Sequence, residues 1–120
     1  MDNKITLVIG ASENRDRYSN RAVRLLRRYK HDVRAFGLRA GRIGDVEIKT
    51  EFPRDKIHTV TLYVGPGNQP GLYDKILKLN TKRIIFNPGT ENEEFKNMLI
   101  VNGVEVVENC TLVMLNSGKF

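Results

Sequence analysis

Apolar positions along the chain fall into short β-branched runs, which alternate with stretches where apolar residues recur every three to four positions. Lys4–Gly10 (KITLVIG) is the first run and reads as a buried strand ending on glycine. Ala11–Tyr18 is polar and predicts a loop, after which Ser19 or Asn20 can cap a helix by accepting a free backbone N–H. Ala22, Leu25, Leu26 and Tyr29 then follow at i, i+3, i+4 and i+7, one apolar helical face. Arg21, Arg24 and Arg28 share another side of that helix, with Arg27 nearby. Val33–Leu38 (VRAFGL) reads as the second strand, Arg39–Gly44 as a Gly-rich turn, and Asp45–Thr50 as a short excursion strand broken by Phe52-Pro53.

The second half repeats the alternation. Thr59–Val64 (TVTLYV) is the third main strand, punctuated by Gly65-Pro66-Gly67. Leu72, Ile76 and Leu79 mark a helix face running to Asn80. Arg83–Asn87 is a fourth strand and Pro88-Gly89 a turn. Thr90 followed by Glu93 has capping-box spacing, with Phe95 and Leu99 as the next helix face. Val104–Val107 is a fifth strand, and Cys110–Leu115 closes the chain as a helical turn or a further strand, with helix preferred. Such an order implies βαβ crossovers, an α/β domain with a parallel sheet, and helices on both faces. Ligands in open sheets of this kind bind beyond the carboxyl ends of the strands, where the strand order reverses. The segments that matter are therefore 10–20, 38–44, 65–70, 87–91 and 108–112.

A chain of 120 residues predicts one domain able to bury its own core without a disulfide or metal staple. Its single cysteine, Cys110, points to a reducing, cytoplasmic setting. The opening residues lack the pattern of a signal peptide, and no run approaches the roughly 18 apolar residues of a membrane span. Charge changes the picture more. The net charge of +6 lies in the first half, and Arg15 to Arg42 holds ten basic residues against only Asp16 and Asp32. That concentration suits a phosphate site, a nucleic-acid footprint or a solvated helix face.

The first strand–helix turn separates these readings in part. The dinucleotide fingerprint G-x-G-x-x-G is absent: only Gly10 is present, with Ser12 and Arg15 where further glycines would stand. What remains is Gly10, small Ala11, the Ser12 hydroxyl and a helix whose free N–H groups and dipole favour an anion. Ser12 and Asn14 can donate to phosphate oxygens, and Arg17 can pair with one. The end of the second strand carries Arg39 and Arg42 and lacks the acid that holds a ribose in NAD sites. Two arginines there argue for a phosphorylated ribose, either an NADP-like 2′-phosphate or the 3′-phosphate of coenzyme A.

The residues resemble the small Rossmann-like CoA-binding-domain proteins, relatives of the N-terminal CoA-binding domain of the succinyl-CoA synthetase α subunit. The likeness runs through VIGASENRDRYSNRAVRLL (8–26), TVTLYVGPGNQ (59–69), RIIFNPGTENEEF (83–95) and GVEVVENCTLVML (103–115). It implies a Rossmann-like open sheet of five parallel strands with coenzyme A or an acyl-CoA over the first turn. It further implies that Gly10, Ser12, Asn14, Arg17 and Ser19 match the phosphate loop, beside Ala11. By the same resemblance Arg39 and Arg42 wrap the adenosine end, and Gly65, Pro66, Asn87, Pro88 and Gly89 line the pantetheine path. Two positions depart from the commoner pattern: Arg15 and Leu38-Arg39 stand where many members have prolines.

Catalytic machinery is not spelled out. His31 and His58 are expected at the surface, with His58 at the wrong end of the sheet for the crevice. Glu91, Glu93 and Glu94 read as stabilising a helix N-terminus. Cys110 follows the fifth strand on the ligand side, where it is either a buried apolar-like cysteine or a thiol that meets that of CoA. The expectation is thus a CoA-binding module that senses CoA or serves a protein partner. An NADP-dependent oxidoreductase and a nucleic-acid binder using Arg21, Arg24, Arg27 and Arg28 are the alternatives. The basic stretch carries no aromatic stacking set, which counts against nucleic acid.

Overall fold

A computed structural model describes residues 3–120. Its axis is β1 (Thr6–Ile9), a TLVI run buried along its whole length. It pairs in parallel with β2 (Val33–Phe36) on one side and β5 (Thr59–Leu62) on the other. Outward from β5 lie β6 (Arg83–Phe86) and β7 (Glu105–Glu108), both parallel. Outward from β2 the sheet continues through β4 (Val46–Lys49) to β3 (Gly41–Ile43), giving the order β3-β4-β2-β1-β5-β6-β7. The strand order reverses between β1 and β5, as expected for a doubly wound sheet.

The sheet has seven strands, not the expected five. Of the two added strands, β4 is the excursion strand expected over Asp45–Thr50, whereas β3 comes from Arg39–Gly44, which reads as a turn. Gly41–Ile43 folds back on Val46–Lys49 as an antiparallel hairpin through Gly44-Asp45, and β4 then adds in parallel to β2. The apolar members Ile43, Val46 and Ile48 are all buried on one face of the sheet, so burial of that stripe sets the register.

Two cores sandwich the sheet. On one face α1 (Tyr18–Arg28) and α4 (Thr111–Asn116) press Val23, Leu26, Met114 and Leu115 against Val8, Ala35, Ile48 and Ile85. On the other, the short α2 (Tyr73–Leu77) and α3 (Glu93–Val101) press Ile76, Phe95 and Leu99 against Leu7, Ile9, Leu62 and Phe86. The closing segment is helical, as preferred. The helix expected to run to Asn80 is shorter: two single 3₁₀ turns, Pro66–Asn68 and Pro70–Leu72, lead into α2, which ends at Leu77.

Two helix starts differ from expectation. Arg17, not Ser19 or Asn20, occupies the N-cap of α1, and no side chain caps that end. Asn20 is drawn into the first turn because its amide donates to the Ser12 carbonyl at 2.9 Å and its oxygen accepts Arg24 Nε at 2.8 Å. At α3 the cap is Asn92, whose Oδ1 accepts the Phe95 N–H at 3.0 Å. Thr90 is instead buried, its hydroxyl donating to the Asn87 carbonyl at 2.8 Å.

His58 stands at the amino end of β5, as expected, but neither histidine is a free surface group. His31 is fully buried, its Nδ1 accepting the Lys4 N–H at 3.0 Å and its ring 5.0 Å from that of Phe120; His58 is half-buried. Burial, with Lys4 and Arg83 close by, holds the His31 imidazole below the ordinary 6.5. His58 is lowered in the same direction, again first by burial and then by Arg83 and Lys4. An imidazole with a lowered folded-state pKa takes its proton first in the unfolded chain, so its stabilising effect is complete above 6.5 and declines as the pH falls below it. Thermal melting from about pH 8 to about pH 5 should show a falling midpoint below about pH 6.5, with a smaller fall in His31→Gln.

Candidate functional site

At the carboxyl ends of β1 and β5 the chain builds a loop tied down by its own hydrogen bonds. Gly10 adopts φ +94°, open to glycine, and a Cβ there would sit 3.0 Å from the Tyr63 carbonyl oxygen. The N–H groups of Gly10 and Ala11 both donate to the Phe36 carbonyl, at 2.9 and 3.0 Å. Ser12 Oγ accepts the Asn14 N–H at 3.1 Å and Asn14 Oδ1 accepts the Asp16 N–H at 3.0 Å. Each side chain spends its oxygen on the turn, so the groups presented outward are donors: the Ser12 O–H and the Asn14 NH2.

The start of α1 completes this arrangement. The first intrahelical bond at the N-cap is Arg21 N–H to the Arg17 carbonyl, so the N–H groups of Tyr18, Ser19 and Asn20 precede it. No acidic residue lies in that first turn, and exposed Arg15 and Arg17 stand just before it. Other helix starts are treated differently. α3 has its Asn92 cap and Glu93 and Glu94 in the first turn, while the first N–H of α4, that of Thr111, donates to Asn87 Oδ1 at 2.9 Å. Ser19 and Asn20 are themselves buried, at 3% and 2% exposure, while Tyr18 is exposed.

The arginines divide into two groups. Arg27 bonds Asp45 at 2.8 Å and the His31 carbonyl at 2.8 Å, tying α1 to the hairpin turn; Arg24 braces Asn20. Arg21 lies over the Tyr18 ring at 5.4 Å, and Arg28 is exposed. Arg39 leaves the bend after β2, at the carboxyl end of the sheet, beside Leu38, which is 97% exposed. Arg42 lies within β3 between half-buried Gly41 and buried Ile43, so its side chain leaves on the face opposite α1. Its N–H donates to Glu13 Oε2 at 3.0 Å.

Across the reversal point, Gly65 and Pro66 are exposed after β5, and Pro88 and Gly89 after β6. Asn87 turns inward. It is 2% exposed, and its amide donates to Thr61 Oγ1 at 2.8 Å and the Leu62 carbonyl at 2.9 Å, so it braces strand ends. Fully buried Gln69 ties the ends of β5 and β6 by donating to the Val64 and Thr90 carbonyls at 2.9 and 2.7 Å. Cys110 is half-buried at the N-cap of α4. Nearby, burial pushes the Tyr63 phenol up to about 12, so it remains a protonated donor. Of the glutamates after β6, Glu91 accepts the Gly89 N–H at 2.8 Å and Glu94 the Tyr73 hydroxyl at 3.0 Å, while Glu93 is exposed, 3.9 Å from Lys96.

Sequence reasoning missed Glu13, Gln69 and the inward turn of Asn87. Apart from the Val64 carbonyl, five residues from Gln69, their partners lie 21 to 29 residues away, beyond any local pattern.

The family model described as CoA binding domain matches residues 4–116. No curated protein matches. A crystal structure described only as an uncharacterized protein superposes with a TM-score of 0.96 at 43% identity, covering 100% of both chains. A Thermus thermophilus structure, cell-free ID.343, shares the fold at TM-score 0.89 and 18% identity, over 98% of this chain and 91% of that one. The dinucleotide forming Acetyl-coenzyme A synthetase 1 of Ca. Korarchaeum cryptofilum shares it at TM-score 0.74 and 19% identity, over 88% of this chain and 25% of that one.

The first loop leaves no room for a side chain beneath it, since a Cβ on Gly37 would lie 2.4 Å from the Ala11 carbonyl oxygen. Gly37→Ala should lower stability by about 1–3 kcal/mol in urea unfolding, because the clash is with backbone.

Proposed function

The chain belongs to the CoA-binding domain family, and from that premise we propose that it is a coenzyme A or acyl-coenzyme A binding module without a reaction of its own. The observation that carries this reading is the start of α1, the long helix left without a side-chain cap or first-turn acid, preceded by Arg15 and Arg17. An anion held there meets the N–H groups of Tyr18, Ser19 and Asn20 and the donors of Ser12 and Asn14. Those residues fit the pyrophosphate of CoA. Arg17 supplies a charge-assisted bond worth about 1.5–3 kcal/mol.

Arg39 and Arg42 are assigned to the ribose 3′-phosphate, Arg39 with the more direct access because it emerges at the carboxyl end of the sheet. The pantetheine arm is assigned to the path past Gly65-Pro66 and Pro88-Gly89 towards Cys110. Two of the glutamates after β6 support a binding role over catalysis, because Glu91 and Glu94 are hydrogen-bonded to the Gly89 N–H and the Tyr73 hydroxyl.

Calorimetry with CoA, dephospho-CoA and NADPH tests the assignment. CoA should bind about tenfold or more tightly than dephospho-CoA, and replacing Arg39 and Arg42 together by Ala should abolish that difference. Arg17→Ala should weaken CoA and dephospho-CoA equally. Equal affinities for the two in the unmodified protein would remove the role given to Arg39 and Arg42, and tighter NADPH binding would favour the oxidoreductase reading.

Cys110 supplies a second test. Its thiolate can attack the S–S bond of CoA disulfide, forming a protein–CoA mixed disulfide and releasing one CoA thiol. Mass spectrometry after incubation with CoA disulfide should show one CoA adduct that Cys110→Ser lacks. No adduct on the unmodified protein would place the pantetheine thiol away from Cys110.

A further inference from the structure

Helices carry the crossovers from β1 to β2, β5 to β6 and β6 to β7, but none carries the crossover from β4 to β5. Residues 50–58 instead form an extended strap across the face that also holds α2 and α3. Phe52 packs edge-on against Phe36 of β2 with ring centroids 4.6 Å apart, Asp55 pairs with Arg34 at 3.0 Å, and Ile57 is buried beside Leu7 and Ile9. An open groove of about 610 Å³ lies between the strap and the end of α2.

The floor of this groove is apolar, with Phe52 and Leu79, and its rim is basic, with Arg54, Lys56, Lys75 and Lys78. All four cationic residues are exposed, and none is in an ion pair among the described residues. The single acid in the lining, Asp55, is engaged by Arg34. Lys75 Nζ sits 5.8 Å from the Phe52 ring centroid. The groove runs along the α2 face of the sheet, from Phe52, which packs on Phe36 at the carboxyl end of β2, to Leu79 and Asn80, which precede β6.

We propose that this groove docks an acidic, amphipathic helix of a partner protein. Its carboxylates would meet the four rim cations, and its apolar side chains would cover Phe52 and Leu79, completing the helical layer. A small ligand fits less well, because such ligands bury most of their surface in a concave pocket and this groove is open. A nucleic-acid backbone would use the cations but leave the apolar floor wet. The proposal does not depend on what fills the crevice.

A synthetic Glu/Leu amphipathic peptide of about four helical turns serves as the probe. In low salt its addition should shift the amide resonances of residues 52–56 and 75–80, and a Lys/Leu peptide should not. Lys75→Glu combined with Lys78→Glu, both exposed, should weaken the Glu/Leu peptide about tenfold while leaving CoA affinity unchanged. Absence of shifts in those two segments, equal affinity for the double variant, or a DNA duplex that displaces the peptide from them would each overturn the proposal. So would concentration-dependent self-association that protects the same amides, since the occupant would then be a second copy of this chain.

Discussion

Across the junction between β1 and α1, the Asn20 side-chain amide donates to the Ser12 carbonyl and ties the helix to the loop. That bond commits Asn20 to the contact, leaving none of its polar side chain to cap the helix. A capping side chain contributes about 1 kcal/mol, and α1 forgoes it. The Phe36 carbonyl fixes the other side of the loop by taking two N–H groups at once. The loop therefore has less freedom to lose when an anion arrives, and ordering a loop is one of the costs of binding.

The rest of the site follows from strand order. β1 lies between β2 and β5, so its loop is flanked by the ends of both. Buried Gln69 and Asn87 lock the β5 and β6 ends together, which keeps Gly65-Pro66 and Pro88-Gly89 as a fixed wall. Positive charge is then divided by geometry. Arg24 and Arg27 are consumed in holding α1 to its neighbours, whereas Arg15, Arg17 and Arg39 remain exposed around the crevice. The sequence shows one basic block, and the fold sorts it into braces and exposed groups.

What was legible in the sequence was whatever depends on neighbours close in the chain. The runs TLVI, TVTL and RIIF are strands because burial on both faces demands continuous apolar residues, and they stand out unaided. The helix face of Ala22, Leu25, Leu26 and Tyr29 is equally local, although Leu25 and Tyr29 end only half-buried. β3 was not legible, since three residues beginning with Gly41 become a strand only when β4 pairs with them and Glu13 accepts the Arg42 N–H. The N-caps misled for the same reason. Ser19, Asn20 and Thr90 have capping chemistry, but Asn20 and Thr90 bond other partners, and Asn92 takes the cap at α3. His31 gave no hint of burial, because its partners are Lys4 and Phe120 at the two ends of the chain.

The central claim is that the uncapped start of α1 holds the phosphates of CoA. The most direct measurement is an amide-resolved NMR titration of the folded protein with CoA. The account predicts saturable shifts that are largest for the amides of residues 12–21, with those of Tyr18, Ser19 and Asn20 moving downfield as they take up an anionic acceptor. Saturable CoA binding that leaves those amides unmoved would contradict it.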